Sequence, residues 1–361
     1  MPPDGSSNGR VQAAQPTVTL AGKDDASLTN GLLDLRIAER VDGLYACEAS
    51  FGNWGPTRPS GGGTGYLYFD RKDLDFGKDF AVKLKTDDLF QGRITGLRAR
   101  FGEGTPPALV VLAEDRLQDL RMVRRTRTFA DVSDQDVFQQ IASDHSLQPD
   151  LDISGPNYKV LTQLEQSDLA FLRERARAVD AELWVSDKTL SAKKRTDRGG
   201  QALTLSYGHG LRELEISADL ATQRTKVDVS GWDVSAKQGL KEEADDSVLG
   251  SELGSADSGA SILSSAFGDR VETVGQLVPL TSAEARARVE ALFRHQARRF
   301  VAGWGVAETD AKLRVGAKVT LDGLGPLFGG DYYVTESVHR FDRARGLRTE
   351  IHVERPGLGR P

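Results

Sequence analysis

Residues 315–354 hold three short runs that suit a sheet and little else. They are Val315–Leu321, Tyr332–His339 and Leu347–Glu354, each rich in Val, Thr, Ile or Tyr. β-Branched and aromatic side chains pack well on a pleated surface and lose rotamer freedom in a helix. Gly and Asp clusters between the runs supply turns, so a strand–turn–strand–turn–strand meander is expected. The last run alternates strictly. Thr349, Ile351 and Val353 point one way, and Glu350, His352 and Glu354 point the other. One face is therefore buried and one wet, as in an antiparallel sheet or a small barrel. The stretch contains no nucleophile or ligand cluster; it reads as a rigid sheet that presents a surface.

The rest of the chain agrees with a β-rich, multi-part protein. Its 361 residues allow about two or three domains. Hydrophobic residues make up 39% and charged residues 28%, enough to build a packed core. No apolar stretch approaches the roughly 18 residues that a membrane span needs. The polar N-terminus lacks the apolar region of a signal peptide, and cytosolic synthesis is expected. The lone cysteine, Cys47, excludes an intrachain disulfide and reads as a small core residue beside Tyr45, Ala49 and Phe51. A net charge of −6 argues against a surface built to hold nucleic acid.

Taken in order, Met1 to about Gln15 reads as a disordered tail. Thr17–Leu20, the alternating Leu33–Ile37 segment, Leu44–Phe51, Ala81–Lys85, Gln91–Phe101 and Ala108–Ala113 read as strands of an antiparallel barrel or sandwich. The Gly-rich segment Gly52–Gly65 lacks the following helix and the Lys-Ser/Thr of a phosphate cradle, so it reads as a loop. From Arg121 the pattern changes. A basic strand to Phe129 precedes a helix opened by Ser133 and Asp136 as a capping box, with Val137, Phe138, Ile141 and Ala142 as its apolar stripe. Tyr158–Glu165 reads as a strand. Ser167 caps a second helix, with Leu169, Leu172, Ala176 and Val179 inward and Arg173, Glu174, Arg175 and Arg177 outward. Strands at Glu182–Ser186, Thr189–Ala192, Leu211–Ile216 and Thr225–Val234 follow. Lys237–Phe267, rich in Ser, Gly, Ala and Asp, reads as a long loop or arm. The longest helix, Ala283–Phe300, buries Ala285, Val289, Leu292, Phe293 and Phe300, and carries Arg286, Arg288, Arg294, Arg298 and Arg299 elsewhere on its surface.

Several of these pieces, in this order, resemble the phage late control D family. They are the Ser133–Ala142 helix, Leu161–Glu165, Ser167–Arg173, Asp180–Val185, Phe328–His339 and Gly346–Glu350. That family includes the hub portion of VgrG-type spike proteins and the central baseplate hub of contractile tails. The resemblance spans about Thr17 to Glu354. It implies a mainly β chain with two tube-protein-like antiparallel barrels and an α/β insertion between them. On that scheme residues 1–16 are a tail, 17–120 the first barrel and 121–207 the insertion. Residues 208–236 with 270–354 form the second barrel, and 237–269 an extended loop or arm. It further implies a homotrimer that joins a hexameric inner tube to a trimeric spike, surrounded by baseplate wedge proteins in a phage-tail-like particle. Spike proteins continue into an oligonucleotide-fold domain and a β-prism, so here the spike is expected on a separate chain. A membrane span and a stable nucleic-acid partner are not expected.

No catalytic, cofactor-binding or metal-binding residue is assigned. The five histidines, His145, His209, His295, His339 and His352, show no metal spacing. His339 and His352 lie on neighbouring strands, but a third ligand is missing. The carboxylates of Glu242–Asp246 sit in a polar segment, where ionised surface groups are the default. No Gly-x-Ser-x-Gly context supports a serine nucleophile. The arginine-rich helix reads as a solvated face or a subunit contact. Trp54, Tyr66, Tyr68, Trp304 and Tyr332 are candidates for core or interface. The competing functions, a peptidoglycan-degrading tail enzyme and a receptor-binding tail protein, lack an acid/base constellation in the first case and do not account for the helical insertion in the second.

Overall fold

The computed structural model describes residues 15–57, 63–200, 202–233, 236–277 and 279–360. The expected tail up to residue 14 and the centre of the Gly-rich segment, residues 58–62, lie outside the described residues. The chain is mainly β, organised around one long sheet that closes on itself at one end.

The first half supplies an arc of strands. These are β1 (Thr17–Leu20), β2 (Leu32–Arg40), β3 (Ala46–Gly52), β4 (Asp79–Leu84), β5 (Asp87–Arg100) and β6 (Ala108–Glu114), preceded at β2 by helix α1 (Ala26–Gly31). They pair antiparallel in the order β1–β4–β5–β6–β3–β2. Their inner face buries Val18, Ile37, Cys47, Phe51, Phe80, Phe90 and Val111 in one core. Cys47 is the small core residue expected of it. A bulge between Leu32 and Asp34 shifts the alternation of β2, so Leu32 is buried and Leu33 only partly so. Beyond β1 the arc ends at the two-residue strand Lys23–Asp24, and Val18 N–H donates to Thr29 Oγ1 of α1. Among the described residues no strand pairing closes this half into a barrel of its own.

Residues 117–200 form the α/β insertion. Helix α2 (Leu117–Arg121) opens it, so the expected basic strand starts later, as β7 (Arg124–Ser133). Helix α3 (Asp134–Asp144) starts on the expected capping box, with Ser133 and Asp136 exchanging side-chain and backbone bonds. Strand β8 (Gln148–Asp152) precedes β9 (Asn157–Ser167), and Ser167 caps α4 (Asp168–Ala178). Strands β10 (Ala181–Ser186) and β11 (Thr189–Lys194) return from it. Phe129, Phe138, Ile141, Leu172 and Leu183 share the insertion's own core. Arg175 turns inward, contrary to its expected outer position, because Asp134 is buried opposite it at 2.6 Å.

The second half contains the closed barrel. Its strands are β12 (Ala202–Tyr207), β13 (Gly210–Ala218), β17 (Val301–Glu308), β18 (Lys318–Asp322), β19 (Gly330–Asp342) and β20 (Gly346–Arg355). They run β19–β18–β12–β13–β17–β20, and β20 returns to β19. The three-run meander of residues 315–354 is β18–β19–β20, paired antiparallel. Thr349, Ile351 and Val353 are buried as the alternation requires. Strand β12 belongs to this barrel and not to the insertion, because it lies parallel to β18 from Ala202 to Ser206. Strand β19 is shared: it pairs with β2 of the first half from Glu336 to Asp342. That seam makes the arc and the barrel one continuous sheet.

Residues 226–297 depart most from expectation. Strand β14 (Lys226–Asp233) does not join the barrel. It pairs with β15 (Gln238–Ala244) and β16 (Val271–Val274). Helices α5 (Gly259–Phe267) and α6 (Ser282–Ala297) complete a small α/β layer. Val227, Val229, Ala244, Leu249, Ala260, Val289 and Phe293 are its core. The segment 237–269 is therefore no loop or arm. It supplies β15 and α5 and adds Ala244, Leu249 and Ala260 to that core.

Candidate functional site

The functional region supported by the structure is the junction where arc, insertion and barrel meet. The last residue of β2 but one, Glu39, is 1% exposed and accepts from Arg314 Nε at 2.7 Å and from Val315 N at 3.3 Å. Arg314 precedes β18, so this ion pair ties the arc to the barrel beside the β2–β19 seam. A second pair of cations follows the insertion's last strand. Arg195 reaches Glu182 of β10 at 3.1 Å and Glu354 of β20 at 2.5 Å. Arg198 reaches Glu182 at 2.7 Å and Tyr45 of the arc at 2.6 Å. Tyr333 of β19 donates its hydroxyl to Glu182 as well. The guanidinium of Arg195 lies 4.2 Å from the Tyr333 ring and that of Arg198 4.3 Å from Trp184, so both charges are also covered by aromatic faces. Glu182 thus joins the insertion to the barrel directly and, through Arg198, to Tyr45 of the arc. Burial acts to raise its carboxyl, and Arg198 and Arg195 outweigh that and hold it below the usual carboxylate range.

A third tie joins the insertion to the α/β layer. Asp180, at the end of α4, binds Arg298 Nη2 at 2.9 Å, and Arg298 binds Glu252 at 2.7 Å. Burial acts to raise Asp180, and His295 and Arg298 pull it down to about 2. The helix expected to show a basic face therefore spends Arg298, and Arg294 beside it, on internal contacts. Such networks fix geometry more than they add net stability. Their result here is a joint between sheets held by paired charges.

The other candidates fall away from one another. His145 binds Asp168 at 2.9 Å, and His295 lies 3.4 Å from Asp180. His339 is buried against Thr349 Oγ1 at 2.8 Å while His352 is exposed on the opposite face, so the two do not meet. Glu243, in the acidic run, pairs with Lys226 and Lys241 at 2.9 and 2.7 Å. Among the described residues no group of three His, Cys, Asp or Glu could hold a metal ion, and no helix is long and apolar enough to cross a membrane. Tyr68 and Tyr332 are core residues. Trp54 and Tyr66 are half exposed and form one cluster with Phe69 and Phe101, ring centroids 4.8–6.4 Å apart. Sequence reading missed Glu39, Asp180, Glu182, Arg195 and Arg198. The one signal available was Glu182, a charge inside the otherwise strand-like Ala-Glu-Leu-Trp-Val.

His339 gives the junction a pH dependence. It sits on the shared strand β19 opposite Ile37 of β2. Burial pushes its imidazole down to about 4, with Glu39 opposing and Arg314 adding to the effect. A depressed histidine stabilises the fold above its unfolded value of about 6.5, and that contribution is lost as pH falls toward 4. We expect the His339 contribution to denaturant-derived stability, read as the difference between wild type and His339→Gln, to fall by roughly 3 kcal/mol between those limits. Asp115, which burial pushes up to about 7 against bonds from the Tyr45 and Leu117 amides, contributes the opposite slope, so the difference between wild type and variant is the quantity to measure.

Comparison with known proteins places this geometry. The model of the family described as "Alg8 N-terminal domain" matches residues 79–342. Among solved structures, the prophage MuSo2 43 kDa tail protein from Shewanella oneidensis superposes with a TM-score of 0.68 at 10% identity, over 95% of this chain and 98% of that one. The tail protein from Neisseria meningitidis MC58 also gives 0.68, at 14% identity, over 96% and 97%. The E. coli c3393 protein, a component of the type VI secretion system, gives 0.59 at 13% identity, over 95% and 79%. No curated protein sequence matches. At these identities the shared property is the fold.

Proposed function

The chain belongs to the Alg8 N-terminal domain family, and from its tail-protein fold we propose that it is the structural baseplate hub of a contractile, phage-tail-like injection system. In this reading three copies join the hexameric inner tube to the trimeric spike, with wedge proteins around them. The chain is made in the cytoplasm and works as part of the assembled particle. It acts as a scaffold and not as an enzyme.

The observation that carries the reading is the end-to-end likeness to two tail proteins, one of them from a prophage, each covered almost completely. The late control D resemblance adds the hub assignment. The sheet adds a physical argument. A chain with two wall-forming halves, one closed barrel and one curled arc joined at β2–β19, offers six wall segments when three copies assemble. That is the match a threefold object needs in order to seat a sixfold one. The buried ion pairs across the joint would keep the two halves from hinging under load.

Electron microscopy of purified particles tests this. Three copies on the axis, between tube and spike, are expected. A ring of six copies, or a peripheral position, overturns the hub reading.

A further inference from the structure

We propose that the chain carries its own head-to-tail contact: Arg98, Arg100 and the Trp54–Tyr66–Phe101 rim of one copy pack on the Glu213–Glu215–Trp304 barrel face of a second copy. This rests on the homotrimer reading and names the surface that would build it.

The first surface is an open strand end. Strand β4 pairs with β5 as far as Arg93, Ile94 still bonds to Gly77 and Lys78 just before β4, and from Gly96 to Arg100 β5 pairs on the β6 side alone. Arg98, Ala99 and Arg100 are consecutively exposed, and Phe101 follows at 64% exposure. The carboxylates nearest the two arginines, Glu48 and Asp34, stand off at 3.6 and 3.8 Å with side chains about half exposed, so those pairs hold the charges loosely. Trp54 and Tyr66 beside Phe101 are 48% and 49% exposed. An aromatic cluster this open on a chain with 28% charged residues marks a contact surface.

The second surface has the complementary chemistry. In the closed ring of six strands, β13 lies three strands from β19 in either direction, on the side of the barrel away from the seam. Its exposed Glu213 and Glu215 form no ion pair with a cation among the described residues. Glu215 accepts from Trp304 Nε1 at 3.3 Å, and Trp304 and Val306 lie beside the two carboxylates on β17. The face is thus acidic and aromatic where the β5 end is basic and aromatic.

Charge decides the symmetry. Two β5 ends repel, and so do two β13 faces, so a twofold contact of either surface with itself is disfavoured. Each surface therefore seeks the other, and the heterologous form of that contact closes into a ring when the rotation allows. Unpaired charges on both sides also speed encounter and select register.

The test is sedimentation velocity of the full chain at low ionic strength. Wild type should be a trimer that weakens as salt rises. Arg98→Glu with Arg100→Glu should weaken association at least tenfold, and so should Glu213→Lys with Glu215→Lys. All four substitutions in one chain should restore the trimer. All variants should keep the wild-type far-ultraviolet circular dichroism and a cooperative melt, since all four sites are exposed. If both charge-reversed chains remain trimeric, the contact is overturned while the hub reading stands. If the fourfold chain fails to reassemble, the pairing of these two faces is overturned. A wild-type chain that stays monomeric at micromolar concentration overturns the homotrimer reading and this contact with it.

Discussion

Val334→Asp is expected to abolish cooperative folding of the barrel. Val334 is fully buried on β19, opposite Val353 of β20, in the core that Val319, Leu321 and Ile351 complete. Its amide donates to Ala317 and its carbonyl accepts from Gly316, both at 3.0 Å, so the backbone cannot rotate the new side chain outward without breaking the ladder. An ionised carboxylate placed there would lie in a cluster of apolar side chains. Even after protonation it buries a polar group without a partner, for a loss of about 4–5 kcal/mol or more. Proteins of ordinary stability have only about 5–15 kcal/mol to lose. Urea unfolding followed by tryptophan fluorescence should show no native baseline. Val334→Ala, which removes about two methyl groups, should keep a cooperative transition at a cost of roughly 2 kcal/mol. A Val334→Asp protein that melts like wild type would mean the barrel interior is wet.

Glu182→Ala should have the next largest effect, by a different mechanism. The side chain packs little apolar surface; its loss matters because of what it leaves behind. Arg198 would keep only the Tyr45 hydroxyl, and Arg195 only Glu354, with both guanidiniums still enclosed. Removing one member of a buried charge network costs about 3–5 kcal/mol, since the partners stay desolvated and unpaired. Glu182→Gln keeps the shape and one acceptor, and should lose less than the alanine variant. The experiment is a pair of denaturant titrations with limited proteolysis of the native state. New cleavage near residues 195–200 in Glu182→Ala, absent from wild type, would show the joint opening before the modules unfold. Equal stability of all three proteins would mean the junction is held by strand pairing alone.

Local patterns carried far where one residue's neighbours are close in sequence. The meander of residues 315–354, the capping box at Ser133 and the burial of Cys47 all follow from alternation, capping chemistry and side-chain size. These need no knowledge of distant strands. The reading of residues 237–269 as a loop failed for the converse reason. Ala244, Leu249 and Ala260 are too sparse and small to announce a core, and they join one only because residues of α6 and β14 pack with them. Arg175 and Arg298 were placed outward for the same cause: a helix face looks solvated until Asp134 or Asp180 arrives from elsewhere in the fold.

Residue order and type determined the β-rich class, the position of the insertion and the family resemblance, because strand alternation and helix caps act over a few residues. Tertiary structure alone decided which strands close into a ring, that β19 serves both halves, and that Glu182 joins the insertion to the barrel. Pairing of strands 300 residues apart depends on loop closure and packing over the whole chain. No short window of sequence contains that information.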